Sequence, residues 1–257
     1  MMSKVYVNLK KVATPGKTLF LFPFAGGTSQ SYRSFFKTFE HLNCDIYSLE
    51  LAGRGIRMQE PLVSNINQIM NECVEGFLPY IGRDSVFFGH SMGSILAYEL
   101  LSAVESKFSQ YSASLIVSAA NSPRHIRLSK DVLGMNDVEF KLFLHGMGGI
   151  PPEISQHDAL MQFLLPRIRN DFEIIDQYRC LGNHTLRSSI HAIAATDDTN
   201  LQHDSVEDWM AYTHSSFELT WCQGGHFYFE RDSSLLTNVI KSNVIKSNVM
   251  GLRHAES

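Results

Sequence analysis

The chain has 257 residues, 44% of them hydrophobic and 19% charged, a balance that excludes a disordered protein and leaves room for a large core. A net charge of −4, with no basic run and no zinc-type spacing, argues against a protein that binds nucleic acid. No secretory signal core opens the sequence, no apolar stretch has membrane-spanning length, and the four cysteines are scattered; a cytoplasmic protein with free thiols and no membrane partner is expected.

Thr18–Phe22 is a continuous apolar run, as in a parallel strand covered on both faces. It ends in Pro23-Phe24-Ala25-Gly26-Gly27-Thr28, a loop where backbone N–H groups can converge. Ser31 to Leu42 has helical spacing, and Cys44–Glu50 reads as the next strand. Leu51 to Gly55 is a turn rather than a phosphate loop, since no helix opens directly after it. A helix over Ile66 to Ile81 and a strand over Ser85–Phe88 follow.

Next comes Gly89-His90-Ser91-Met92-Gly93, followed by the helix-like Ser94–Leu101. A bare G-x-S-x-G arises easily by chance, and a capped surface turn would look the same. A strand before it and a helix after it supply the context the chemistry needs: a tight turn lifts the serine Oγ to the sheet edge. The free N–H groups of the following helix favour developing negative charge there.

Ser114–Ala120 is a further strand, closed by Asn121-Ser122-Pro123. From about Arg124 to Arg187 the alternation of strand and helix stops. Helical patterns fill the interval, at Asp137–Leu144 and through Leu160, Phe163, Leu164, Ile168, Phe172 and Ile175, with Pro166 expected to kink or divide the second. Gly146-Met147-Gly148-Gly149-Ile150-Pro151-Pro152 resembles a hinge between them. Such an insertion suits a lid over an acyl cavity, although its apolar stripes also suit a plain helical subdomain.

A serine hydroxyl needs a base, and the base needs an orienting acid. Ile190–Ala195 is the strand that would deliver the acid, and Thr196-Asp197-Asp198-Thr199-Asn200 its loop; either aspartate could serve, or merely cap the turn. Phe217–Trp221 precedes Gln223-Gly224-Gly225-His226-Phe227-Tyr228-Phe229. Among eleven histidines, His226 alone combines a glycine hinge before it with an aromatic cluster after it, whereas His41 and His203 suit the surface. The tandem Asn238–Ser242 and Asn243–Ser247 fits neither helical nor strand period, so its second copy should extend a terminal helix into solvent.

These parts predict an α/β-hydrolase fold over residues 1–257 as one domain: a mostly parallel central sheet flanked by helices, with a lid at about 124–187. Ser91 would be nucleophile, His226 general base and Asp198 or Asp197 the acid. The oxyanion would be held by the N–H of Met92 and of a loop residue, Phe24 first and Ala25 second.

The set resembles the type II (external, editing) thioesterases of nonribosomal peptide and polyketide synthesis. The likeness is carried by Phe22-Pro23-Phe24-Ala25-Gly26-Gly27, by Gly53-Arg54-Gly55-Ile56-Arg57 and by Phe88-Gly89-His90-Ser91-Met92-Gly93. Leu165-Pro166-Arg167-Ile168-Arg169-Asn170-Asp171-Phe172 with Tyr178, then Trp209 and Gly224-Gly225-His226-Phe227, complete it. The resemblance implies the nucleophile's role for Ser91, the base's for His226 and a loop donor at Phe24. Counting back from Trp209 selects Asp198, though Ala195 replaces the family's usual glycine and keeps Asp197 open.

The implied substrates are acyl thioesters on the phosphopantetheine arm of acyl- or peptidyl-carrier proteins, cleared without cofactor or metal by a monomer. Arg124, Arg127 and Lys130 could meet an acidic carrier or simply be solvated. A general carboxylesterase or lipase, and a non-catalytic acyl-binding protein on the same fold, are the alternatives.

Overall fold

The computed structural model describes residues 4–33, 39–128, 131–150, 152–180 and 185–245. Its strands are β1 (Tyr6–Lys10), β2 (Lys17–Phe22), β3 (Cys44–Leu49), β4 (Ser85–His90), β5 (Ser114–Ser118), β6 (Ser189–Ala195) and β7 (Phe217–Cys222). They form one sheet in the order β1-β3-β2-β4-β5-β6-β7. Only β1 runs antiparallel to its neighbour, so the sheet is mostly parallel as expected.

Every residue of β2, β3, β4 and β5 is buried, which is why these strands read as unbroken apolar runs. The edges differ: β1 and β7 keep most of their residues partly exposed. The helices are α1 (Ile66–Phe77), α2 (Met92–Lys107), α3 (Asp137–Gly146), α4 (Pro152–Ser155), α5 (Asp158–Gln177), α6 (His203–Glu207), α7 (Tyr228–Arg231) and α8 (Ser234–Ile245). The expected helix over Ser31 to Leu42 lies partly outside the described residues, which omit 34–38.

Alternation along the strands splits the core in two. Phe20, Phe22, Phe87, Leu115 and Ile190 pack against α1 and α2 on one face; Leu19, Leu21, Val86, Phe88 and Ile116 pack against α7 and α8 on the other. A third cluster, with Phe140, Leu144, Met161, Leu165, Ile168 and Phe172, belongs to the helices between β5 and β6.

Two expectations are corrected here. Pro166 does not divide its helix: α5 runs unbroken from Asp158 to Gln177. A proline removes one rung of the ladder, and in the same turn the Arg167 guanidinium donates to the Phe163 carbonyl at 2.6 Å. The second copy of the C-terminal repeat does not simply run into solvent. Its Asn243 and Val244 are buried within α8, and Lys17 Nζ donates to the Asn243 carbonyl at 3.1 Å. The last residues of that copy, 246 and 247, lie outside the described residues.

Candidate active site

The turn from β4 into α2 carries Ser91 at φ 54°, ψ −124°, a left-handed conformation rare for a residue with a side chain. Its flanking glycines are required by packing. A Cβ on Gly89 would lie 2.2 Å from the Gly93 carbonyl oxygen, and one on Gly93 would lie 2.0 Å from that of Phe22. The Ser91 N–H donates to the Ser118 carbonyl at 2.8 Å, which ties the turn to β5. Ser91 therefore stands at the carboxyl end of the central strands, with the first turn of α2 directly behind it.

Beyond β6, the N–H groups of Thr196 and Asp197 donate to the carbonyls of Cys222 and Gly224, both at 2.9 Å. The β6–β7 pairing thus continues into both loops and turns Asp198 and His226 toward each other. His226 Nδ1 and Asp198 Oδ2 are 2.6 Å apart, and both residues are buried. Asp197, one residue away, is exposed.

Burial by itself would raise the Asp198 pKa, but the His226 ring and two Asn200 donors outweigh it and hold the carboxyl below its ordinary range. Both the N–H and the side-chain amide of Asn200 reach Asp198 Oδ1 at 3.0 Å. The His226 ring is packed by Phe227 and His90, with ring centroids 5.1 Å away in each case. His90 is fully buried, and burial first, then the neighbouring His226, pushes its pKa well below the ordinary histidine value. Its Nδ1 lies 3.0 Å from the Ser118 hydroxyl, itself 2.8 Å from the Tyr228 hydroxyl.

Ser91 and His226 line one cavity of about 140 Å³, together with Phe24, Ala25 and Met92. Its walls are mainly apolar and come from the loops at the sheet end, from Ile95 of α2, and from Phe143, Ile168 and Phe172 of the helices between β5 and β6. In the loop after β2, the Gly26 N–H donates to Asp171 Oδ2 at 2.7 Å, the Gly27 N–H to the Phe24 carbonyl at 2.8 Å and the Thr28 N–H to Ser31 Oγ at 2.9 Å. Those three donors are committed, which leaves Phe24 and Ala25 as the loop's candidates for an oxyanion. With the Met92 N–H, such an arrangement can carry out nucleophilic attack on an acyl carbonyl and stabilise the resulting tetrahedral anion.

Residues 17–243 match the thioesterase domain family. The chain belongs to the thioesterase family. This thioesterase is similar to linear gramicidin dehydrogenase LgrE of Brevibacillus parabrevis, 28% identical over 243 residues that cover 93% of this chain and 92% of the relative. It is also similar to gramicidin S biosynthesis protein GrsT of Aneurinibacillus migulanus, 27% identical over 226 residues, 88% of each. Among solved structures, the type II thioesterase BorB from the borrelidin biosynthetic cluster superposes with a TM-score of 0.85 at 26% identity, covering 95% of this chain and 99% of that one. The thioesterase is thus a hydrolase acting on thioesters, on an α/β-hydrolase fold. No Gly-x-Gly-x-x-Gly occurs in its sequence to accompany the dehydrogenase in the name of LgrE.

Sequence reasoning missed several groups. Asn200 was read only as part of a loop, and the Asp-x-Asn spacing is the signal that could have found it. The chain from His90 through Ser118 to Tyr228 joins three separate segments and left no local signal. Arg124, which could meet an acidic carrier or be solvated, is ion-paired with Asp208, whose carboxylate also lies near His125. Arg127 lines the cavity, and Lys130 lies outside the described residues.

Proposed function

We propose that this thioesterase removes misprimed or stalled acyl groups from the phosphopantetheine arms of acyl- or peptidyl-carrier proteins of a nonribosomal peptide or polyketide synthase. The observation that carries this reading is the apolar cavity reached by both Ser91 and His226, with Asp198 2.6 Å behind the imidazole. The printed names of GrsT and BorB support the biosynthetic setting.

In this mechanism His226 takes the Ser91 proton as Oγ attacks the thioester carbonyl, and Asp198 stabilises the imidazolium. The N–H groups of Met92 and Phe24 hold the oxyanion, with Ala25 as the alternative to Phe24. His226 then protonates the departing thiol, and water deprotonated by the same imidazole releases the acid and restores the Ser91 hydroxyl. The inserted helices over about 124–187 act as a lid of one 1–257 domain, excluding water around the acyl chain. Among the described residues no helix is long and apolar enough to cross a membrane, and the enzyme is proposed to work as a cytoplasmic monomer without metal or cofactor.

The test is a panel of carrier proteins loaded with acetyl, aminoacyl and longer acyl groups, beside matched oxygen esters. Release of acid from the carriers, lost in Ser91→Ala, supports the proposal. Faster turnover of the oxygen esters would favour a carboxylesterase, and a folded protein unreactive to fluorophosphonate would favour a non-catalytic binder.

A further inference from the structure

Asp171 is fully buried in the middle of α5, yet none of the proposed chemical steps uses it. Arg54, from the turn after β3, grips both its oxygens, Nη1 to Oδ2 at 2.6 Å and Nη2 to Oδ1 at 2.7 Å. The same Oδ2 accepts the Gly26 N–H at 2.7 Å, and Arg54 Nη1 also donates to the Gly27 carbonyl at 3.3 Å. One carboxylate therefore joins three elements: the inserted helix, the β3 turn and the loop that follows β2.

We propose that Asp171, held by Arg54, is a positioning residue that clamps the Gly26 N–H and thereby fixes the direction of the Phe24 and Ala25 N–H groups. This rests on the proposed role of that loop as half of the oxyanion hole. Gly26 is at φ +80°, and a Cβ there would lie 2.7 Å from Ile168 Cγ1, so α5 sits directly on the loop backbone. Two consecutive glycines give that backbone wide conformational freedom. The Gly27 and Thr28 N–H groups make local contacts, to Phe24 and Ser31, and the next tie outside the loop is the Ser29 N–H to Glu50 Oε1 at 3.1 Å, three residues past Gly26. The grip at Gly26 is what connects the loop to a rigid helix.

Stability alone is a poor reason for such a pair. Removing two charges from water costs much of what their attraction returns, and Arg54 Nε remains buried without a partner among the described residues. A fixed oxyanion donor returns more, because it must meet the developing charge at hydrogen-bond distance without reorganising.

The decisive variant is Arg54→Met/Asp171→Leu, an apolar pair of similar bulk that removes the Gly26 acceptor without stranding a charge. It is expected to fold with a melting temperature near that of the wild type. Its kcat on an acyl-pantetheine thioester should fall about 10²-fold, the loss of one oxyanion donor, with KM changed by less than about threefold. Affinity for an acyl trifluoromethyl ketone, which forms an anionic tetrahedral adduct on Ser91, should fall in step with kcat/KM. Asp171→Asn, which keeps an oxygen for Gly26 but not the bidentate ion pair, should lose about 10-fold in kcat.

A folded variant of either kind with wild-type kcat and wild-type ketone affinity overturns the inference, as does a loss confined to KM or to melting temperature. If the double variant does not fold, the Asp171→Asn pair of readouts decides alone. A wild type that releases no acid and leaves Ser91 unlabelled would fail the hydrolase proposal itself, and the clamp with it; an active wild type with unaffected variants fails the clamp only.

Discussion

His226 Nδ1 lies 2.6 Å from Asp198 Oδ2 although the two residues leave the sheet on different strands. Their meeting is built by backbone: the Thr196 and Asp197 N–H groups extend the β6–β7 ladder past the strand ends. The side chain after that second rung faces the imidazole, and the one before it faces water. Adjacent aspartates are therefore unequal, for a reason that local chemistry does not contain.

Asp198→Asn should lower kcat on an acyl thioester by about 10³- to 10⁴-fold, because a neutral amide neither fixes the required tautomer nor stabilises the imidazolium. Asp197→Asn should stay within about twofold, since its carboxylate is exposed and, among the described residues, receives only the Thr196 hydroxyl. Steady-state kinetics of both variants checks the assignment; a larger loss at Asp197 would reverse it.

Ser91→Gly and Ser91→Ala both delete the hydroxyl, and neither should turn over. They should differ in stability. The Ser91 backbone at φ 54°, ψ −124° costs a residue with a Cβ about 1–3 kcal/mol. Glycine is free of that strain but gives back about 0.4–1 kcal/mol through its looser unfolded chain. Ser91→Gly should then be more stable than Ser91→Ala by about 1 kcal/mol, seen as a melting temperature about 2–4 °C higher. Equal melting temperatures would mean that the turn holds no strain.

The central strands were legible because burial on both faces leaves uninterrupted apolar runs. β1 was not, since Tyr6–Lys10 is short and mostly half-exposed at an edge. Ser91 is marked by flanking glycines that close packing requires, and His226 by two glycines before it, of which Gly224 takes a positive φ of 119°. The Arg54–Asp171 pair spans 117 positions, and each half was read as a turn or a motif residue. Long-range ion pairs of this kind leave no periodic or spacing signal, so only the folded chain brings them together. Pro166 by its local rule kinks or divides a helix, and division does not occur: Met161, Leu165, Ile168 and Phe172 pack into one cluster and α5 is continuous across the proline.

Phe143 lines the cavity and packs edge-on against Phe172 with ring centroids 5.7 Å apart. Phe143→Ala would open space on the side of the cavity formed by the helices between β5 and β6, where the proposed acyl chain would lie, without touching Ser91. Each added methylene that fills such space is worth about 1 kcal/mol or more in transition-state binding. The ratio of kcat/KM for long over short acyl-pantetheine thioesters should therefore rise about 10-fold. An unchanged ratio across the chain-length series would show that acyl chains bind elsewhere.

His90 makes stability depend on pH in a direction that can be worked out. Burial and the adjacent His226 keep its folded pKa well below the reference value of 6.5. As pH falls below 6.5, the unfolded chain binds a proton that the folded protein refuses, so this group makes unfolding easier toward acid. The slope is up to about 1.4 kcal/mol per pH unit and continues until the folded ring titrates. Above 6.5 the ring is neutral in both states and the term vanishes. His90→Asn, which cannot titrate, should be less stable at pH 7 because it loses ring packing against Phe229, 4.8 Å away between centroids. Its urea midpoint should nevertheless fall less between pH 7 and pH 5 than that of the wild type. Parallel losses in the two proteins would place the titrating group elsewhere.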